Sequence, residues 1–152
     1  MTLTLSSPAF GDGDPIPPEY GYTDRNVNPP LTFTGAPDDA VSLALVMDDP
    51  DAVEPAGKIW DHWVVWNIDP GRTEIPEDWD IDGNGAETGT NDYGERGYGG
   101  PNPPDGKHMY RFELYALDTS LDLSTDTDAD ALRDAIEGTV LETAALHGSY
   151  SP

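Results

Sequence analysis

The sequence predicts a mostly β protein, a sandwich of sheets carrying one C-terminal helix, within a single domain over residues 1–152. Three observations lead there. Short apolar or alternating runs recur between turn-forming residues, two of those runs are apolar on both faces, and a helical repeat appears only near the C-terminus. A chain of this length buries roughly 68–70% of its unfolded surface, enough for a substantial core.

Runs suited to strands lie at 2–5, 31–34, 42–47, 62–68 and 110–117. The run 42–47, SLALVM, is nearly all apolar, as expected of a strand covered on both sides. In 110–117, Tyr110, Phe112, Leu114 and Ala116 alternate with Arg111 and Glu113 before Tyr115 and Leu117 break the polarity. That strand therefore starts half exposed and ends buried on both faces. Two central strands covered by two layers favour a sandwich over a single open sheet. Near the C-terminus Asp126 or Asp128 can cap a helix whose Leu132, Ile136, Val140 and Leu141 recur at helical spacing. Gly138 interrupts it and costs about 1 kcal/mol relative to Ala, leaving one helix with a weak middle or two short ones. His147 and Gly148 then fall in its closing turn, and the helix should pack on a sheet edge or face.

Charge restricts the function. With 30 acidic and 7 basic residues the formal charge is −23, which excludes nucleic acid as a partner because phosphates would be repelled. Membrane surfaces are anionic too, and no run of roughly 18 apolar residues offers an insertion segment. Leu, Ile, Val and Phe make up only 28 of 152 residues, but four Trp and seven Tyr clustered in the alternating runs supply the missing apolar area. Only two lysines beside this acidity suggest a chain adapted to concentrated salt. At about 1 M salt the screening length falls to roughly 3 Å and self-repulsion largely disappears. The absence of cysteine removes disulfides, thiol nucleophiles and thiolate metal sites. The N-terminus lacks a basic region followed by an apolar core, so a cytoplasmic location is expected.

The segment 94–110, GERGYGGPNPPDGKHMY, alternates permissive glycines with rigid prolines and ends on His108 at the start of a strand. Residues 83–107 hold eight Gly and three Pro, too long a connection for an ordered domain unless it serves a function. An ordered, concave wall of backbone amides is expected. His62 lies in a separate apolar run, downstream of Asp48, Asp49 and Asp51.

Brought together, Asp49, Asp51, His62 and His108 could form a polar pocket, a metal site or a hydrogen-bonded core network. Neither HxH nor HExxH occurs, so no metal and no cofactor is expected. No GxSxG elbow supports a serine nucleophile. Asp80, Asp82, Asn84 and Gly85 open like a calcium loop, but Asn91 stands where a bidentate Glu belongs, which favours an acidic turn.

The residues resemble the phosphatidylethanolamine-binding proteins, in the Raf kinase inhibitor-like branch of bacteria and archaea. Asp49 to Ala52 resemble that family's DPDA turn, and Trp60, His62, Trp63 and Asn67 its W-x-H-W strand. GYGGPNPP from Gly97, then Gly106, His108 and Tyr110, resemble its GY-GP-PP-G-H-x-Y signature. Asn28 to Leu31, LYALD from Leu114, and residues 137–150 agree, so the resemblance spans nearly the whole chain. It implies a larger and a smaller antiparallel sheet, a C-terminal helix, and an anion pocket lined by Asp49, Asp51, His62, Pro103, Pro104, His108 and Tyr110. It also implies a non-enzymatic binding protein for a phosphate-like, head-group-like or carboxylate ligand. Kinase or protease inhibition and a homodimer are roles the wider family suggests. The alternative is a hydrolase or metal-assisted enzyme using His62, His108 and Asp49. Two positions depart from the family: Val53 replaces a common proline, and Met109 replaces the arginine between His and Tyr. Lys58, Arg96, Lys107 and Arg111 lie in the two motif segments, where they either offset the acidic field at the pocket or pair with neighbouring carboxylates.

Overall fold

A computed structural model of the chain describes residues 2–81, 85–104 and 106–151. The described residues form eight strands: β1 (Thr4–Ser6), β2 (Leu31–Thr34), β3 (Ser42–Asp49), β4 (Trp60–Ile68), β5 (Glu74–Ile75), β6 (Glu87–Thr88), β7 (His108–Leu117) and β8 (Val140–Tyr150). Two helices accompany them, the single turn α1 (Val53–Ala56) and the longer α2 (Ala129–Ile136). Antiparallel pairing gives a smaller sheet in the order β1-β2-β5 and a larger one in the order β6-β4-β3-β7-β8. This is the expected sandwich, with β3 and β7 inside the larger sheet.

Each face of the large sheet has its own cover. Leu45, Met47, Trp63, Phe112 and Leu114 face the small sheet and pack with Leu5, Leu31 and Phe33. Ala44, Val46, Val64 and Trp66 face the other way, onto Ala129, Leu132 and Ile136 of α2. All eight residues of β3 are buried, which explains its near-continuous apolar run. The last two, Asp48 and Asp49, carry charge into that interior and are the exception that matters for the site.

The C-terminal expectation needs correction. Asp128 does cap α2, its Oδ1 accepting from Ala131 N at 2.9 Å, but the helix stops at Ile136. Gly138 takes φ 83°, a left-handed conformation that ends helices and turns the chain back. Val140 and Leu141 then open β8, which pairs with β7 from Leu117↔Val140 to His108↔Tyr150. His147 and Gly148 lie inside this strand, opposite Arg111 and Tyr110, and not in a closing turn. Long-range strand pairing has overridden the helical spacing of two apolar residues. The outer edge of β8 is covered by the N-terminal segment: Gly13 N donates to His147 O at 2.8 Å and Ile16 N to Ser149 O at 2.7 Å. That protects an edge otherwise open to pairing with other chains.

Among the described residues no helix is long and apolar enough to cross a membrane. The acidic stretch from Asp80 to Gly85 lies partly outside the described residues, Asp82 and Asn84 included.

Candidate functional site

Three strand ends converge at one end of the large sheet. β3 finishes on Asp49, whose Cα partner is Trp60 at the start of β4, and β7 begins beside it with His108. Asp49 also caps the short turn that follows: its Oδ1 accepts from Asp51 N at 3.0 Å. Asp51 reaches across to the new strand, its Oδ2 accepting from Met109 N at 2.8 Å. His108 Nδ1 meets Asp49 Oδ2 at 2.5 Å, with both side chains about 5% exposed or less.

The glycine-proline loop closes the opposite side. Asn91 organises its base by accepting from the amides of Tyr93 and Glu95 and donating to Gly97 O. Gly99 N then donates to His62 O at 2.9 Å, and the His62 ring answers with Nδ1 at 2.7 Å from Gly99 O. Gly100 N donates to Asn26 Oδ1 at 2.7 Å, while Gly100 O accepts from the Tyr93 hydroxyl. A Cβ on Gly100 would sit 2.1 Å from Tyr20 O, so only glycine allows this approach. Four of the loop's glycine amides are not turned toward an anion. Those of Gly94, Gly97, Gly99 and Gly100 are all bonded within the protein. At the buried Gly99 and Gly100 burial explains why, since a buried N–H left unbonded would cost about 1–3 kcal/mol.

Between these walls lies a cavity of about 180 Å³ lined by Asp49, His62, Pro103, Pro104, His108 and Tyr110, six of the seven sequence-predicted residues. Asp51 is not among them; its carboxylate is spent on the turn that holds Asp49 in place. Ala52, Ala56, Trp60, Tyr93 and Asn102 complete the lining and were not anticipated. Trp60 had a signal, because it sits two residues before His62 at strand period. Tyr93 had none, as only the folded loop brings it edge-on to His62, with ring centroids 5.7 Å apart.

Burial shapes the electrostatics. Desolvation pushes the Asp49 carboxyl above its usual range, opposed by the hydrogen bond from His108. Desolvation also lowers the His62 ring to about 4, although the Gly99 and Gly100 carbonyls pull the other way. The ring is therefore neutral near pH 7. Tyr93 and Tyr110 are raised well above 10 by burial, with the Asp49 charge adding to the effect on Tyr110.

The basic side chains are not gathered at the cavity. Lys58 pairs with Asp92 at 2.9 Å, and Arg111 forks onto Asp48 with contacts of 3.0 and 2.8 Å. Arg133 of α2 adds a third contact to Asp48 at 2.8 Å, and Arg96 Nε donates to Thr88 O. A carboxylate buried on the helix side of the sheet needs such partners, and it takes them. Among the described residues no lysine or arginine lines the cavity, nor does a serine, threonine or cysteine. Among the described residues no group of three or more His, Asp or Glu is arranged to hold a metal ion.

Two unequal antiparallel sheets with a small preformed pocket at three strand ends define a β-sandwich of the ligand-binding kind. A family model described as phosphatidylethanolamine-binding protein matches residues 6–151, and the chain belongs to that family. It is 44% identical to the UPF0098 protein of Methanothermobacter thermautotrophicus over 151 residues, 97% of this chain and 98% of that one. The crystal structure of a phosphatidylethanolamine-binding protein homologue from Chlamydia trachomatis superposes with a TM-score of 0.92 at 37% identity, covering 99% of this chain and 98% of that one. Escherichia coli YbcL, described as a member of the mammalian family, gives 0.91 at 29% identity, covering 100% and 99%.

Proposed function

We propose that this protein is a non-enzymatic binding protein that holds a small anionic group, phosphate-like, head-group-like or carboxylate, in the cavity bounded by Asp49, His62 and His108. The observation that carries this role is the convergence of two buried histidines and the Tyr110 hydroxyl on one small cavity, in a member of a family named for a phospholipid. A cavity of about 180 Å³ suits a head group and is too small to enclose acyl chains as well. The Asp49–His108 contact resembles the orienting half of a catalytic triad, yet no serine, threonine or cysteine stands among the described lining residues to complete it. Binding without turnover is therefore the role assigned. Inhibition of a kinase or protease would use the outer surface and is tested by assay against such enzymes. Cell fractionation tests the cytoplasmic location that accompanies this role.

Calorimetry with inorganic phosphate in concentrated potassium chloride is the direct experiment. Each hydrogen bond to a charged group contributes about 1.5–3 kcal/mol, so His62→Ala and His108→Ala should each weaken binding at least about tenfold. Unchanged affinity in both variants would remove the anion from this cavity. Release of phosphate from phosphoesters, with product freed at a steady rate, would favour the hydrolase.

A further inference from the structure

Given the anion-binding role proposed above, on which it rests, we propose that the pocket accepts an anion only together with one proton. Among the described residues the lining supplies no lysine or arginine. Lys58, Arg111 and Arg133 are engaged with Asp92 and Asp48, and the charges of His108 and Asp49, at 2.5 Å, cancel at best. The amides of Gly94, Gly97, Gly99 and Gly100 are bonded elsewhere. The Trp60 indole N–H, buried without a partner among the described residues, is neutral. His62 decides the matter. A carbonyl only accepts, so Nδ1 at 2.7 Å from Gly99 O must carry the ring hydrogen. The neutral ring then leaves Nε2 with a lone pair, an acceptor where an anion needs a donor. An unprotonated anion entering here would meet that lone pair and the Asp49 carboxylate, in a chain of net charge −23.

One proton removes the conflict from either side. A ligand that keeps an acidic hydrogen, such as hydrogen phosphate, can donate to Nε2. Alternatively His62 takes up a proton as the anion enters and becomes a two-donor cation paired with it. The groups around the ring are Tyr93 from the loop, Tyr110 and His108 from β7, Asp48 and Asp49 from β3, Asp92 from the loop, and Asp61 beside it on β4. The tyrosines stay protonated through the physiological range. Asp61 titrates near neutrality, so it needs a control.

The test uses the whole chain at fixed potassium chloride, with sulfate and inorganic phosphate titrated calorimetrically in buffers of different ionisation enthalpy. Sulfate carries no titrating proton above about pH 3, so its affinity should fall about tenfold per unit between about pH 5.5 and 7.5, with about one proton taken up per anion. If sulfate fails to bind while phosphate, which keeps one O–H as hydrogen phosphate throughout this range, does bind, the proton is the ligand's own, and the inference stands. The Asp61→Asn variant should keep whichever slope is found; loss of the slope there overturns the inference. Affinity that is flat or rises with pH for both anions also overturns it, leaving the anion pocket itself intact. No binding of either anion at any pH overturns both.

Discussion

Asp49 and His108, 59 residues apart in sequence, meet Oδ2 to Nδ1 at 2.5 Å where β3 ends and β7 begins. The contact joins two lining residues of the cavity and opposes the burial that pushes the Asp49 carboxyl above its usual range. Removing one partner of a buried pair leaves the other uncompensated, which costs about 3–5 kcal/mol. His108→Ala should therefore lower stability by that order in denaturant titrations at high salt. The double variant Asp49→Asn/His108→Ala should lose clearly less than the sum of the single changes.

A second buried carboxylate predicts a pH dependence of stability. Asp61 is raised to about 7, first by desolvation and then by Asp92, with Arg133 opposing. A carboxyl raised in the folded state contributes stability fully below its unfolded value of 3.8 and loses it as pH rises through about 7. Stability should thus decline from mildly acidic to mildly alkaline pH. Asp61→Asn should flatten that decline and gain about 1–3 kcal/mol at about pH 8. Chemical denaturation of both proteins across the pH range checks it; equal slopes would contradict it.

Two glycines of the closing loop should respond differently to the same change. At Gly100 a Cβ would overlap Tyr20 O at 2.1 Å, whereas at Gly94, with φ 80°, it would meet nothing within 4 Å. Gly94→Ala should cost about 1 kcal/mol from backbone strain alone. Gly100→Ala should cost more than about 2 kcal/mol and weaken phosphate binding as well, because the loop must shift. Thermal unfolding and calorimetry on both variants separate the two effects.

The strong acidity of the sequence predicts dependence on salt. With a formal charge of −23, dialysis to low ionic strength restores self-repulsion over roughly 10 Å or more. The near-UV circular dichroism of the packed tryptophans should be lost on such dialysis and return with salt. A spectrum unchanged in dilute buffer would contradict adaptation to concentrated salt.

Much of this architecture was legible in the sequence because burial leaves a pattern. β2 stands at 31–34 as expected, and β3, β4 and β7 differ from the sequence boundaries by two residues at one end. β8 was not legible. It is an edge strand whose middle, Glu142 to Ala145, is small or polar and partly exposed, so no alternation marks it. Leu132, Ile136, Val140 and Leu141 mimicked one helical face, and the left-handed Gly138 between them was the stop signal. The two-residue strands β5 and β6 are too short to carry any period. At the site, the motifs located six lining residues. They could not tell that Asp51 would be turned onto Met109 N, or that the amides of Gly99 and Gly100 would be bonded to His62 O and Asn26 Oδ1, because both outcomes depend on partners far away in sequence.

The most direct measurement is a chemical-shift map of the isotope-labelled protein in concentrated salt as inorganic phosphate is added. The largest shifts should fall on Asp49, His62, Gly99 to Asn102, His108 and Tyr110, with the His62 ring nitrogens changing most steeply. Shifts centred elsewhere on the surface, with the His62 and His108 signals unmoved at saturation, would contradict an anion pocket at the junction of β3, β4 and β7.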